Sequence, residues 1–350
     1  MLQIYQVKKR KELILNKLVF SFVTIFLFTS GCSNDAGSSI EPVEKGWIFV
    51  ANEGNYGSSN GSLSMINNDG EVYHVEEVGD VVQSLEVYND KLLVVVNNSH
   101  MIKVYDITED GLRLPGIEIS TDNSSPRELV VVEDKVYFTN WNTKDVKVLN
   151  LFNYSIETSI SVDGLPESIV SDGSYLWVGI IMNEDYSSAN SVVKIDIATK
   201  SIVETYEVGL GPTSLVLDGD DIYVARTFYD ENWIAFYGSS KIGSDDIKIN
   251  NYGLGVACGG DIMKFNNEIY RSFDGGIAPL ENNLDIRGYS RIGSYDQSQV
   301  YSTEVIGEYI YFGITDGEAM NKIKKVNENG DEVASYDVGI FPGDFSVWKN

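Results

Sequence analysis

The sequence predicts an all-β protein, a seven-bladed β-propeller closed by the C-terminal strand joining the first blade. Three observations lead to this prediction. Apolar runs are short, rich in Val, Ile and Tyr, and separated by turn pairs such as Asn-Asp and Asp-Gly, which is typical of strands and tight turns. A two-strand pattern returns every 40 to 47 residues. The domain begins on one strand of this pattern and ends on the other, so its two ends complete one repeat.

Each repeat is recognised by a marker residue on its first strand. The stretch "SLEVYNDKLLVVV" (84–96) returns as "SLVLDGDDIYVAR" (214–226), with Ser as the marker in both. An aliphatic residue stands eight places after each complete marker, and an aromatic residue follows it in five of six copies. A ring at a fixed place predicts packing between neighbouring blades. The seven markers are Ser84, Glu128, Ser168, Ser214, Asp261, Ser302 and Asp344.

The ends of the chain predict how the ring closes. Only residues 345–350 follow the last marker, Asp344, which is enough for one inner strand. The domain begins near Trp47 with a second strand that has no marker strand before it. Pairing of these two segments would complete one blade and leave no exposed sheet edge. The predicted organisation is a lipoprotein signal peptide at 1–31, a lipid anchor and flexible tether at 32–46, and the propeller at 47–350.

The N-terminus resembles a bacterial lipoprotein signal peptide. A basic stretch precedes the apolar run 18–28, which is shorter than the roughly 20 residues that span a membrane, and Ser30-Gly31-Cys32 follows. The resemblance implies that Cys32 is lipidated and becomes the first residue of the mature chain. It also implies an outer-membrane lipoprotein at the cell surface, with a periplasm-facing position as the alternative. A simple cleaved signal peptide with an incidental Cys32 is the other interpretation.

The charge of the chain excludes some classes of partner. The formal net charge is −26, and the basic N-terminal stretch carries some of the few positive charges. Such a field repels phosphate backbones and anionic lipids, so we expect no nucleic acid partner and contact with a membrane only through the lipid anchor. With Cys32 lipidated, Cys258 has no intramolecular partner, and its apolar surroundings in sequence predict a buried, inert thiol.

The loops on the two faces of the predicted wheel differ in composition. Turns inside the first hairpins are short and acidic, such as "ND" (89–90). Loops between the second and third strands carry large rings and Asn, as in "NEGNYGSSN" (52–60), "TFYDENW" (227–233) and "SFDGGIAPLENN" (272–283). Rings give flat apolar area and Asn both donates and accepts hydrogen bonds, which suits a bulky, partly planar ligand rich in amides or hydroxyls. The predicted ligand-binding residues are Asn55, Tyr56, Asn97, His100, Trp141, Asn142, Tyr186, Tyr229, Trp233 and Phe273.

Little in the sequence points to catalysis. The two histidines, His74 and His100, are too few for a multi-histidine metal site, and no nucleophile, zinc or phosphate-loop motif is present. We therefore predict no metal, no cofactor and no catalytic residue. A carboxylate pair acting on a glycoside stays open, because acidic residues are plentiful. For each ring, folding back to plug the central channel is the alternative to ligand contact.

Two stretches carry a resemblance to a known family. "DKVYFTNWNTKDVKVLNL" (134–151) resembles the YVTN/YncE-type seven-bladed propellers, and "FVANEGNYGSSNGSLSMIN" (49–67) is similar to the start of Bacteroidetes surface lipoprotein propellers. That group includes cobalamin-binding partners of TonB-dependent outer-membrane transporters. The resemblance implies capture of a scarce small molecule, such as a corrinoid, for a transporter of this type. An adhesion or scaffold propeller that binds protein or polysaccharide is the second hypothesis, and a hydrolase or lyase is the third.

Overall fold

The computed structural model describes residues 46–255, 260–318 and 321–350. The predicted signal peptide, nearly all of the tether, and both Cys32 and Cys258 lie outside these ranges. Within them, the chain forms seven small antiparallel sheets arranged as the blades of a propeller. Short Val- and Ile-rich runs favour extended backbone, and Asn, Asp and Gly between them favour the turns. The predicted all-β, seven-bladed fold is confirmed, and no helix in the described part is long and apolar enough to cross a membrane.

The strands, in chain order, are β1 (Gly46–Asn52), β2 (Gly61–Asn67), β3 (Val72–Gly79), β4 (Val82–Tyr88), β5 (Lys91–Val96), β6 (Met101–Thr108), β7 (Gly111–Leu112), β8 (Ile117–Ser120), β9 (Pro126–Val132), β10 (Lys135–Asn140), β11 (Asp145–Asn150), β12 (Ser155–Ser161), β13 (Leu165–Ser171), β14 (Tyr175–Met182), β15 (Ser188–Asp196), β16 (Ser201–Glu207), β17 (Pro212–Asp218), β18 (Asp221–Tyr229), β19 (Ala235–Ile242), β20 (Ile247–Leu254), β21 (Ile262–Phe265), β22 (Glu268–Phe273), β23 (Gly276–Pro279), β24 (Val300–Ile306), β25 (Tyr309–Thr315), β26 (Asn321–Val326), β27 (Glu332–Asp337) and β28 (Pro342–Lys349). One 3₁₀ turn spans Gly288–Ser290. The innermost strands of blades 1 to 7 are β28, β4, β9, β13, β17, β21 and β24.

The two ends of the domain share the first blade, as predicted. Its strand order is β28-β1-β2-β3, so the last strand of the chain is the innermost strand of blade 1. Strands β1 and β28 pair antiparallel, with Trp47 opposite Trp348 and Val50 opposite Phe345. Closure therefore joins residues about 300 positions apart in sequence and removes the sheet edge that either strand would otherwise expose.

Several marker residues connect their innermost strand to the next blade by a hydrogen bond, although Ser168 Oγ has no partner among the described residues. Ser84 Oγ donates to the Arg127 carbonyl at 2.9 Å, and Ser302 Oγ donates to the Pro342 carbonyl at 2.6 Å. The carboxylate of Asp261 accepts the backbone N–H of Thr303 at 2.9 Å. Small hydroxyl or carboxyl side chains at this position thus satisfy backbone groups at the inner sheet edges, which have no further strand to pair with.

The ring that follows most aliphatic positions packs against the next blade, as predicted. Tyr137 of blade 3 lies in a core cluster with Ile169 and Leu176 of blade 4. Tyr311 of blade 7 packs likewise with Val50 and Phe345 of blade 1. Clusters of this kind lie between all neighbouring blades, so the core is a ring of seven interfaces rather than one centre.

Blade 6 departs from the predicted four-strand pattern. It has three regular strands, and the place of a fourth is taken by an irregular segment held by the bridges Ile277–Ile292 and Leu280–Ile286. The prediction that residues 272–283 form one long loop is wrong. This stretch contains a two-residue turn, Asp274-Gly275, followed by β23. The Asp-Gly pair forms the tight turn of a hairpin. Glycine and proline are uncommon inside strands, so the short strand that follows the turn was predicted as loop.

Candidate functional site

The loops between second and third strands of blades 1 to 4 surround one cavity of about 680 Å³, here called the loop cavity. It lies next to the innermost strands of the wheel. Ring-bearing side chains form much of its wall, and polar side chains from innermost strands lie among them. Its lining residues are Glu53, Gly54, Tyr56, Val81, Gln83, Asn97, Asn98, His100, Ser125, Arg127, Trp141, Asn142, Tyr186, Tyr301 and Phe341.

Six of the ten predicted residues line this cavity: Tyr56, Asn97, His100, Trp141, Asn142 and Tyr186. The other four do not. Asn55 is exposed beside the cavity, and its backbone N–H is bonded to Asn60. Tyr229 and Trp233 belong to the blade 5 hairpin, where their ring centres lie 6.0 Å apart. Phe273 lines a different cavity, between blades 5 and 6.

Sequence reasoning missed a polar network at the base of the loop cavity. Arg127 donates to both carboxylate oxygens of Glu167, at 2.9 and 2.5 Å, and to Gln83 at 2.7 Å. Its guanidinium also lies 4.4 Å from the centre of the Trp141 ring. A bidentate pair of this kind is rigid, and the guanidinium of Arg127 supports the Trp141 ring by a cation–π contact. The network supplies a pre-organised floor whose charges balance each other.

Glu53 brings a second acidic group to this floor. Burial raises its pKa to about 7, while a hydrogen bond from Tyr301 and the charge of Arg127 act in the opposite direction. The carboxyl group is therefore close to half protonated at neutral pH. It can donate as well as accept a hydrogen bond, which fits a ligand with amide or hydroxyl groups.

The polar residues of the cavity wall differ in which hydrogen-bonding groups they can present to a ligand. His100 Nδ1 accepts the backbone N–H of Ser125 at 3.1 Å, so the neutral ring carries its proton on Nε2 and presents a donor. The side-chain nitrogen of Asn97 already donates to Ser125 Oγ and the Pro126 carbonyl, which makes this residue mainly structural. Within the described chain, the buried Nε1 of Trp141 has no hydrogen-bond partner.

Two of the exposed rings occupy strained backbone positions. Tyr186 and Trp233 close their loops with φ of 64° and 60°, and their side chains are 60% and 69% exposed. A left-handed conformation costs a residue with a side chain roughly 1–2 kcal/mol and is ordinarily filled by Gly or Asn. The Trp233 ring packs against Tyr229, while turn geometry by itself favours a smaller residue at both places. A role on the outer surface gives one reason for them.

Beneath the loops, carboxyl groups line the central channel, whose cavity measures about 570 Å³. Burial is the main cause of their raised pKa values, to about 7 for Glu86, about 8 for Glu128, about 7 for Asp261, about 8 for Glu304 and about 6 for Asp344. Among the residues that the structure describes, no group of three or more His, Cys, Asp or Glu side chains is placed to hold a metal ion.

Comparisons with known proteins identify the fold and no family. No family model matches the sequence, and no curated protein matches it. Among solved structures, a candidate 6-phosphogluconolactonase of Bacteroides fragilis NCTC 9343 is 12% identical, with a TM-score of 0.64 over 89% of this chain and 99% of the other. Apo AztD from Citrobacter koseri is 11% identical, with a TM-score of 0.54 over 88% of this chain and 99% of AztD. A functionally unknown protein from Desulfotomaculum acetoxidans DSM 771 is 12% identical, with a TM-score of 0.62 over 86% of this chain and 98% of the other. These likenesses support the propeller, a fold compatible with ligand binding.

Proposed function

We propose that this protein is a YncE-like cell-envelope lipoprotein of the Bacteroidetes surface type that captures a ligand in the loop cavity and passes it to an outer-membrane transporter. The observation that carries the proposal is the meeting of six sequence-predicted residues at one cavity of about 680 Å³. Concave sites of roughly 300–1,000 Å³ with aromatic walls and a few polar groups are typical of small-molecule binding.

The chemistry of the wall favours a bulky ligand without strong charge. Tyr56, Trp141 and Tyr186 offer flat apolar surfaces, and Tyr56 is 77% exposed, so a bound molecule would cover it. Arg127 is already neutralised by Glu167, and Glu53 is half protonated at neutral pH. The wall of the loop cavity therefore offers more neutral hydrogen-bond donors and acceptors than uncompensated charges. A corrinoid, with a flat ring edged by amides, meets these requirements, and delivery to a TonB-dependent transporter is the proposed next step.

Ligand binding can be tested directly on the full-length protein. Calorimetry and visible spectra with cyanocobalamin, haem and a ferric siderophore should reveal one ligand that binds more tightly than about 10 µM. Tyr186→Ser and Trp141→Ala should weaken it, whereas Tyr289→Ser should not, because Tyr289 is similarly exposed but does not line the cavity. Absence of binding to all three compounds would contradict the uptake proposal.

The anchor requires a separate experiment. Cys32→Ala should move the protein from the membrane fraction to the soluble fraction and abolish incorporation of labelled palmitate. Protease treatment of intact cells then distinguishes a surface position from a periplasmic one. Retention of the label by the variant would contradict lipidation at Cys32.

A further inference from the structure

Two buried arginines lie next to each other beside a second cavity, between blades 5 and 6, and one of them, Arg271, lines it. Arg226 on β18 and Arg271 on β22 are each only 1% exposed. Both reach the same two residues in the middle of strand β19: Arg271 Nη1 donates to the Gly238 carbonyl and to Ser239 Oγ, and Arg226 Nη2 donates weakly to the Ser239 carbonyl. The two guanidinium groups are therefore neighbours, and each raises the cost of burying the other.

Neither arginine forms an ion pair in the part of the chain that the structure describes. Their hydrogen-bond acceptors are neutral, including the Asn250 carbonyl and Asn251 Oδ1 for Arg226 and the Ser272 carbonyl for Arg271. The Nε of Arg226 is buried and has no partner there. Burial lowers the pKa of Arg226 to about 10, so it still carries its charge at neutral pH. The carboxyl group of Asp261 attracts Arg271 from beyond ion-pair distance. One carboxyl group does not balance two buried guanidinium groups, and buried charge that is not balanced is strongly unfavourable.

The surrounding sequence makes room for this pair. A Cβ at Gly238 would lie within 2.4 Å of Arg226 Nη2, and one at Gly209 would lie within 2.7 Å of Arg226 Nη1. Any larger residue would displace the guanidinium. The tyrosine rings of Tyr237 and Tyr252 lie 4.9 and 5.3 Å from Arg271, which adds cation–π attraction but no negative charge. The glycines thus leave the space that the guanidinium groups occupy, and the tyrosine rings stabilise Arg271.

Arg271 lines a cavity of about 260 Å³, here called the arginine cavity. This volume is slightly below the roughly 300–1,000 Å³ of sites for drug-sized ligands, so its occupant is small. Thr227 and Gln297 bring polar groups, and Phe273, Leu254 and Val300 bring apolar surface. Asp274 also lines the cavity, but it pairs with Arg291, which offsets its repulsion of an anion.

We propose that the arginine cavity binds the carboxylate of a small organic acid, with Arg271 supplying the compensating charge and Phe273 and Leu254 covering the apolar body. Nε and Nη1 of Arg271 already donate to the protein, so the carboxylate would accept a charge-assisted hydrogen bond from the remaining nitrogen, Nη2. The net charge of −26 slows the approach of an anion but is screened beyond about 8 Å at physiological salt, so the local charge decides affinity. This site goes beyond the proposed uptake function and does not depend on it.

The test uses the full-length protein with benzoate, acetate, phosphate and chloride at one fixed ionic strength. Benzoate should raise the thermal midpoint by several degrees and acetate by less, since ligands that bind only the folded state stabilise it. Arg271→Gln should abolish the benzoate shift and raise its dissociation constant at least tenfold by calorimetry. Arg287→Gln is the matched control, because Arg287 lies in the same blade and pairs with Glu268 outside the cavity.

Phe273→Ala and Gln297→Ala provide a second readout that does not depend on the folding of the Arg271 variant. Each should weaken benzoate binding severalfold while leaving binding in the loop cavity unchanged. The proposal is overturned if neither carboxylate shifts the midpoint more than chloride, or if the shift persists in Arg271→Gln and in both lining variants. Stabilisation by phosphate alone would overturn the assignment to organic acids.

Discussion

The carboxylate of Asp344 accepts the backbone N–H of Leu85 at 2.6 Å, although the two residues are 259 positions apart. This bond joins the innermost strand of blade 1 to that of blade 2, next to the point where the wheel closes. The charge of Asp344 also raises the pKa of the other channel carboxyl groups, Glu86, Glu128, Asp261 and Glu304. One side chain thus contributes to closure and sets the electrostatics of the channel.

The raised pKa values predict that the protein is more stable in mild acid. Asp344 and Glu128 have folded-state pKa values of about 6 and about 8, against ordinary values of 3.8 and 4.5. Between about pH 4 and pH 8 the folded state therefore binds more protons than the unfolded chain, and stability falls as pH rises. The free energy of unfolding in urea should be at least about 2 kcal/mol higher at pH 5 than at pH 8. Equal values would contradict the prediction.

Asp344→Asn separates the charge of this residue from its hydrogen bond. Asparagine keeps one side-chain oxygen that can accept the Leu85 N–H, gives up the bond that the other oxygen accepts from the Phe345 N–H, and removes the repulsion of the other carboxylates, which we expect to be the largest of these effects. The variant should be more stable than the wild type at pH 8 and show a smaller change between pH 5 and pH 8 in the same urea measurement. Asp337→Asn is the control, because Asp337 is exposed and its pKa is lowered by the hydrogen bond from Lys322. A loss of stability at pH 8 would show that the second accepted hydrogen bond, from Phe345, or the charge itself outweighs the repulsion.

Closure of the ring predicts a large effect of one C-terminal residue. Trp348 is only 5% exposed, and its Nε1 donates to Asp90 of blade 2 at 2.9 Å. Trp348→Ala should lower the free energy of unfolding by about 3–5 kcal/mol. Trp233→Ala, which removes a ring that is 69% exposed, should change it by less than about 0.5 kcal/mol. Similar losses in the two variants would show that the last strand contributes little to the fold.

The sequence predicted the wheel better than it predicted the site. Spacing of the markers locates the innermost strands and the closure, because every blade repeats the same edge and packing requirements. Assigning each loop to one face of the propeller places Tyr56 and Tyr186 on the side that holds the loop cavity. It does not give the position of a residue around the ring. Trp233 and Phe273 consequently share the face without lining the loop cavity.

Four of the missed residues lie on or next to innermost strands, whereas Glu53 lies in a loop. Gln83, Arg127, Glu167 and Tyr301 each stand immediately before a marker, at the same register of their innermost strands. This shared register brings Gln83, Arg127 and Glu167 together at the floor of the cavity. Comparing the position before each marker across the repeats is a signal that finds them. Which blades contribute a charge there depends on the sequence of each copy, and the repeat pattern does not reveal it.

Relief of backbone strain at Tyr186 should stabilise the protein and weaken its binding. Tyr186→Gly places the one residue without a left-handed penalty at φ 64° and should raise the free energy of unfolding by about 1 kcal/mol. Loss of the ring should lower affinity for the loop-cavity ligand about fivefold. Lys200→Gly, at φ 54° in a turn that follows a third strand, should give the same stabilisation with no change in affinity. Calorimetry and urea titration measure both effects, and unchanged affinity in Tyr186→Gly would remove this ring from the site.

Trp141 tests whether the ligand reaches the floor of the loop cavity. Its buried Nε1 has no partner among the described residues, and an unsatisfied buried donor costs about 1–3 kcal/mol. Trp141→Phe keeps a ring above Arg127 and removes this donor, so the unliganded protein should be as stable as the wild type or slightly more stable. If the ligand accepts this hydrogen bond, its affinity should fall about fivefold. Trp177→Phe is the control: its ring packs in the interface between blades 4 and 5 and its Nε1 donates to the exposed Asp172 at 3.4 Å, so that variant should lose stability and keep its affinity. An unchanged dissociation constant in Trp141→Phe would show that the ligand is held by the outer rings alone.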